Sequence, residues 1–160
     1  MSFRNGFYAG ALLSALAALW LAQLWDGEKQ VRLHSEHFLQ QIEQRHWSKL
    51  GDFIATDYHD DWGHDQAEVL SRLRFVLRCF SSLTITPSRL QVSVVPPAGW
   101  WSAKVQLAGE GCEDAPQVTQ RVNRLSEPFV LHWRRQSWRP WDWKLVRVSN
   151  PALDLSGRCF

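Results

Sequence analysis

The 160-residue chain, with 45% apolar and 21% charged residues, is long enough for one compact domain plus a terminal segment and has an ordinary globular composition. Its net charge of +2 does not point to a polyanionic partner, and with no Lys/Arg-rich run and no nucleic-acid signature no nucleic-acid partner is expected. The unusual feature is ten tryptophans, of which Trp100, Trp101, Trp133, Trp138, Trp141 and Trp143 fall in the second half and predict an aromatic core, an aromatic-lined pocket or a contact face.

Residues 6–25, GFYAGALLSALAALWLAQLW, carry no charged side chain. As a helix rising about 1.5 Å per residue they reach across the hydrocarbon of a bilayer, about 30 Å thick. Arg4 ahead of them favours an N-terminus left in the cytoplasm. The expectation is an uncleaved anchor over residues 1–27 and a single-pass membrane protein with its domain periplasmic or otherwise extracytoplasmic. Trp20 and Trp25 suit the far interface. A cleaved signal peptide is the competitor. Ala15 and Ala17 offer a small-x-small site, but cutting there leaves an apolar region of only about ten residues. Cutting after Ala22 puts Trp20 where a small residue is needed.

Val31, Phe38, Leu39, Ile42, His46 and Leu50 recur at helical spacing, so residues 28–50 are expected to form one amphipathic helix. GDF at 51–53 breaks it and starts a further helical turn. A second full helix is expected from Ala67, Leu70, Leu73, Leu77 and Phe80, with Asp65 as N-cap and Glu68 completing a capping box. From residue 83 the period becomes two. Leu90, Val92 and Val94 alternate with polar neighbours, and PPAG ends the strand. Trp101, Ala103, Val105 and Leu107 form the returning strand. Residues 109–126 read as a polar connection holding part of a strand. Phe129, Leu131 and Trp133, then Trp141, Trp143 and Leu145, complete a four-stranded antiparallel meander. The expected domain is α+β over residues 28–150, with a C-terminal tail over 151–160.

The three cysteines are Cys79, Cys112 and Cys159. In an exported domain they allow one disulfide and one leftover thiol. Cys112 in a Gly-rich loop and Cys159 at the chain end meet most easily, and Cys79 reads as a small buried hydrophobe. No Cys-x-x-Cys pair exists, and no metal is expected.

A long helix, a short helix, the polar segment FIATDYHDDWG, another helix and an antiparallel sheet closing on WDWKLVRVSNP resemble the nuclear transport factor 2-like superfamily, including its polyketide-cyclase-like (SnoaL-like) and ketosteroid-isomerase-like groups. The resemblance covers about residues 30–150. It implies a cone in which a curved sheet wraps the helices around a pocket, and a role that differs among members: catalysis, ligand binding or protein binding. The isomerases use a carboxylate after the second helix and a tyrosine on the first. Asp60 or Asp61 falls near the carboxylate position. The matching first-helix region, EHFLQQIEQ, has Phe38 and no tyrosine, so half of that pair is missing.

The nonapeptide DYHDDWGHD at 57–65 concentrates groups that do chemistry. A metal site would use His59, His64 and one of Asp57, Asp60 or Asp61, but the spacing matches no standard ligand motif. Acid–base catalysis would use Asp60 or Asp61 with His59 or His132. A ligand pocket would be built by Tyr58, His59 and Trp62 with Trp133 and Trp143. As a structural segment, Asp65 caps the helix, Gly63 turns the chain, Tyr58 and Trp62 pack on the core, and His59 and Asp60 are solvated. His34 and His37 read as a surface pair. His132 points away from Trp133 along its strand. With no Ser-His-Asp arrangement and no phosphate-binding glycine loop, no cofactor is expected. The expected function is a membrane-held, non-enzymatic binding or interaction module that takes a small apolar ligand. The runner-up is an isomerase, cyclase or dehydratase working through a pocket carboxylate. A third expectation is a homodimer through the open sheet face, with Trp100 and Trp138.

Overall fold

The computed structural model describes Tyr8, residues 12–16, Ala18 and residues 25–153. Asp26 starts the first long helix of the domain, its carboxylate accepting from the N–H groups of Glu28 and Lys29 at 3.1 and 3.2 Å. These would otherwise be unsatisfied first-turn donors. The helix, α1 (Gly27–Glu43), buries Val31, Ser35, Phe38 and Ile42 along one face. It does not run on to residue 50 as its periodicity predicts. Arg45 takes a left-handed backbone conformation with φ 56°, and its guanidinium donates to the Phe80 carbonyl. The helix end is closed locally, Arg45 N–H donating to the Ile42 carbonyl at 3.1 Å and His46 N–H to the Gln41 carbonyl at 3.0 Å, the paired bonds of a left-handed helix stop, and a separate helix, α2 (Trp47–Phe53), follows. Helix α3 (Gln66–Leu77) opens with the expected capping box: Asp65 accepts from Glu68 N–H at 2.8 Å, and Glu68 accepts from Asp65 N–H at 3.2 Å.

The four strands, β1 (Phe80–Val95), β2 (Ala98–Gly111), β3 (Phe129–Arg135) and β4 (Trp143–Ser149), form one antiparallel sheet in the order β1-β2-β3-β4. The tip of the β1–β2 hairpin holds a cis Pro96–Pro97 bond. Of the segment 109–126, residues 109–111 complete β2, so it does hold part of a strand; the rest contains a helix, α4 (Ala115–Asn123), with proline in its first turn. Its end is pinned to β2 because the Asn123 amide pairs with both backbone groups of Leu107, at 2.7 and 2.9 Å. Its short apolar face, Val118 and Val122, is hidden in sequence by the surrounding polar residues.

Trp101, Leu131, Trp133, Trp143 and Leu145 alternate inward from β2, β3 and β4 and meet Val31 and Phe38 of α1 and Leu50 of α2 in the core. Gly99 lets α1 approach this closely: a Cβ there would lie 2.6 Å from Val31 Cγ2. His34 is not a surface histidine. It is half-buried, edge-on to Phe53 and Trp133 with ring centres 6.2 and 5.9 Å away, and Nδ1 bonds the Gln30 carbonyl at 2.8 Å. Burial lowers its pKa from 6.5, against the opposing effect of that bond.

Two further expectations are corrected. Among the described residues no helix is long and apolar enough to cross a membrane. The 17-residue α1 carries Glu28, Lys29, Arg32, Glu36 and Glu43, whereas a span needs about 20 apolar residues. The expected transmembrane helix, and the single-pass, extracytoplasmic placement built on it, are therefore not sustained. Most of residues 6–25 lie outside the described residues. The disulfide joins Cys79 to Cys112, not Cys112 to Cys159. Antiparallel pairing of Phe80 with Gly111 sets the flanking cysteines side by side, although 33 positions separate them in sequence. Cys159 lies outside the described residues.

Two outcomes are expected. Replacing Cys79 and Cys112 together by serine should cost about 2–4 kcal/mol in denaturant unfolding, as for a cross-link closing a loop of this length; unchanged stability would contradict the bond. His34 favours its neutral form when folded, so its contribution is present above pH 6.5 and lost as the pH falls below that value, where the unfolded chain takes up the proton first. The melting temperature should therefore fall from pH 7 to pH 5, and His34→Leu should shrink the fall; an identical pH slope in the variant would remove His34 from this role.

Candidate functional site

The segment after α2 is stitched to the edge of the sheet. Ile54 bridges to Leu145, Ala55 N–H donates to the Leu145 carbonyl at 2.9 Å, and His59 N–H to the Val146 carbonyl at 3.2 Å. This places Tyr58 and Asp60 beside the inner sheet face. Asp60 is buried, with only 4% of its surface exposed. One carboxylate oxygen accepts from the N–H groups of Trp62 and His64 at 3.0 and 2.8 Å, and the other meets His64 Nδ1 at 3.0 Å. An ionised carboxylate can only accept, so Nδ1 is the donor in this contact. Gly63, at φ 85°, makes the tight reversal that brings His64 back onto Asp60, a conformation suited to glycine. The Tyr58 hydroxyl is buried without a hydrogen-bond partner. It feels the Asp60 charge without a bond of ordinary geometry, and burial first, then that charge, push its pKa well above the usual tyrosine value.

Beside this cluster lies a cavity of about 290 Å³. Helix α3 packs chiefly on α2, and its backbone stands off from the sheet. The cavity occupies the space between. Val69, Leu73 and Val76 of α3 face Leu83 and Ile85 of β1 and Val105 of β2, while α4 adds Val118 and Val122. Tyr58, Asp60, Trp62 and His64 form its polar end, and the Trp62 indole N–H is held by the Leu153 carbonyl at 2.8 Å. Arg72 and Arg121 also line it.

The structure separates the other residues singled out in the sequence. His59 is exposed. Asp61 pairs with Arg147 across the sheet edge, and Asp57 pairs with Arg134 through two contacts of 2.8 and 2.7 Å. The Arg134 bond holds the Asp57 carboxyl below its usual range. His132 lies half-buried on the strand face opposite Leu131, with Nε2 3.3 Å from Ser149 Oγ. Burial and then Arg147 lower its pKa, with Asp61 opposing. Asp60, Asp61 and His132 therefore do not converge on one point. Trp133 is packed between His34, Phe38 and Phe53. Trp143 is buried elsewhere, its indole N–H held by the Pro140 carbonyl at 2.9 Å. Among the described residues no cluster of metal-ligating side chains occurs. The partner of Asp60 is His64, four positions on. The signal available in sequence was Gly63 between them, which permits the return.

No protein-family model matches the sequence, and no curated protein matches it. Solved structures match the fold. The Bdellovibrio bacteriovorus protein Bd1075 superposes with a TM-score of 0.58 at 8% identity over 76% of this chain, which spans only 40% of that chain. A proposed dehydratase of the NTF2-like family from Streptomyces avermitilis gives 0.56 at 16% identity, covering 76% of this chain and 91% of that one. An NTF2-like protein of unknown function from Pseudomonas putida KT2440 gives 0.56 at 15% identity, covering 81% and 89%. The fold is that of the nuclear transport factor 2-like superfamily, as the order of elements in the sequence implies.

Removing the Asp60 carboxylate leaves two amide N–H groups and a buried imidazole without their acceptor. Asp60→Ala should therefore destabilise the domain by about 2–4 kcal/mol in urea unfolding. His59→Ala on the exposed side of the same loop should be near neutral. Equal effects at the two positions would refute the arrangement around Asp60.

Proposed function

We propose that the domain is a non-catalytic binding module that takes a small, largely apolar molecule in the cavity between α3, α4 and the sheet. The observation that carries this is the state of Asp60. Its carboxylate is almost wholly buried, 1% exposed as a side chain, and three N–H donors of its own loop already occupy it. A general base must reach a substrate proton, and this carboxylate is engaged in holding the loop. What remains around the space is an apolar wall, which favours an apolar occupant.

One observation favours a second reading. The Asp60–His64 pair orients an imidazole through Nδ1, and His64 keeps 10% of its side chain exposed. Proton abstraction by His64, as in a dehydratase, is the runner-up, and the proposed dehydratase among the fold neighbours is compatible with it. Asp60 would then be a positioning residue.

The test is a fluorescence titration with 2-naphthol, a neutral probe that fits the space. Saturable binding is expected, lost in Leu73→Trp, which fills the cavity, while the melting temperature of that variant holds or rises. Binding that survives the filled cavity would refute the assignment.

A further inference from the structure

Both helices that wall the cavity hang from one end of the β1–β2 hairpin. Helix α3 ends at Leu77 and the chain enters β1 at Phe80, while β2 ends at Gly111 and α4 begins at Ala115. Away from that end α3 packs chiefly on α2 and α4 chiefly on β2. The meeting of the two strand ends therefore helps set the width of the cavity between them. The pairing there is irregular. A register shift interrupts it between Phe80 and Ser82. On the β2 side stand Gly109 and Gly111, where a Cβ would overlap the carbonyl oxygens of Ser82 and Cys79. Glycine permits this close approach but adds no side-chain packing to the ladder. The Cys79–Cys112 disulfide fastens the same end, beside the bond from Cys112 N–H to the Cys79 carbonyl at 2.8 Å. Cys112 is exposed and Cys79 partly buried, so a dithiol approaches from the Cys112 side.

We propose that this disulfide is a redox latch on the cavity. Oxidised, it holds α3 and α4 at the spacing that binds the ligand. Reduced, it lets the open end of the hairpin fray, and affinity falls. The reaction is thiol–disulfide exchange with a dithiol reductant. One reductant thiolate attacks a protein sulfur, forms a mixed disulfide and releases the other cysteine, which takes up a proton. The second reductant thiolate then displaces the first cysteine, so the protein gains two electrons and two protons and the dithiol becomes a disulfide. Other contacts keep the change local. Asn123 still clamps the far end of α4 to Leu107, and Asp65 still caps the far end of α3. The proposal rests on the cavity being a binding site, and it adds the control of that site.

The test uses the full-length chain carrying Cys159→Ser, so that no third thiol exchanges with the pair. 2-Naphthol is titrated by fluorescence before and after reduction with dithiothreitol. Affinity should fall about tenfold on reduction, an ordinary coupling between two sites, and return on reoxidation. By linkage, saturating 2-naphthol should shift the equilibrium with dithiothreitol toward the disulfide by the same factor. The chain with Cys79→Ser and Cys112→Ser together should bind like the reduced form whether or not dithiothreitol is present. In hydrogen exchange, amides at the end of α3, the start of α4 and the strand ends between them should open faster on reduction, with β3 and β4 unchanged. Equal affinity in the two redox states would overturn the latch and leave the cavity assignment standing. Loss of binding that accompanies unfolding of the whole domain, read by circular dichroism, would also overturn it. If the oxidised chain does not bind 2-naphthol, both fall.

Discussion

The attachment of residues 54–59 to the edge of β4 is the constraint on which the rest of the site depends. Two backbone hydrogen bonds and the Ile54–Leu145 bridge turn what would be a free loop into a short extension of the sheet. A segment held by backbone pairing has a defined side-chain alternation. Tyr58 and Asp60 are therefore sent inward, while Asp57, His59 and Asp61 are left outward. The same attachment sets where α3 starts, because Gly63 and the Asp65 cap follow within a few residues. Helix α3 then packs chiefly on α2, with its backbone off the sheet, and the cavity is the space that this leaves.

The electrostatics of the nonapeptide divide along the same line. On the outer side, Asp57 and Asp61 meet Arg134 and Arg147 in water, where ion pairs of this kind contribute little. On the inner side, Asp60 is removed from water, and a lone buried carboxylate is costly unless its acceptors are filled. The loop supplies the donors itself, through two amides and the His64 imidazole. This makes the segment stiff. It also engages the carboxylate with its own loop, through the Trp62 and His64 amides and the His64 imidazole. The Tyr58 hydroxyl is buried beside the carboxylate without a partner.

Protein interiors are normally packed to the density of organic crystals, and lining atoms that face a void lose dispersion contacts. The half-buried aliphatic residues of α3, α4, β1 and β2 are in that position. The region around Trp133 is filled, with Phe38, Phe53 and His34 at edge-to-face distances. The tryptophans of β3 and β4 close the core beneath α1, and the cavity wall is mainly aliphatic, with Phe38, Tyr58, Trp62, Trp101 and Phe129 as its aromatic members.

Local chemistry made several elements legible in the sequence alone. Asp65 and Glu68 announced the start of α3, the alternation around Trp101 and Leu131 announced inward faces of strands, and the order of helices before strands announced the fold. These signals act over a few residues, where spacing along the chain equals spacing in space. Only the tertiary structure decided the rest. The Arg45 guanidinium, just past the end of α1, meets the Phe80 carbonyl, 35 positions on. The pairing of Cys79 with Cys112 comes from strand register, and α4 is stabilised by Asn123 clamping a distant strand. Asp60 reads as interchangeable with Asp61 until the loop is laid against β4. Its burial, its partnership with His64 and the cavity beside it are properties of that docking, because desolvation and void space exist only once distant segments have been brought together.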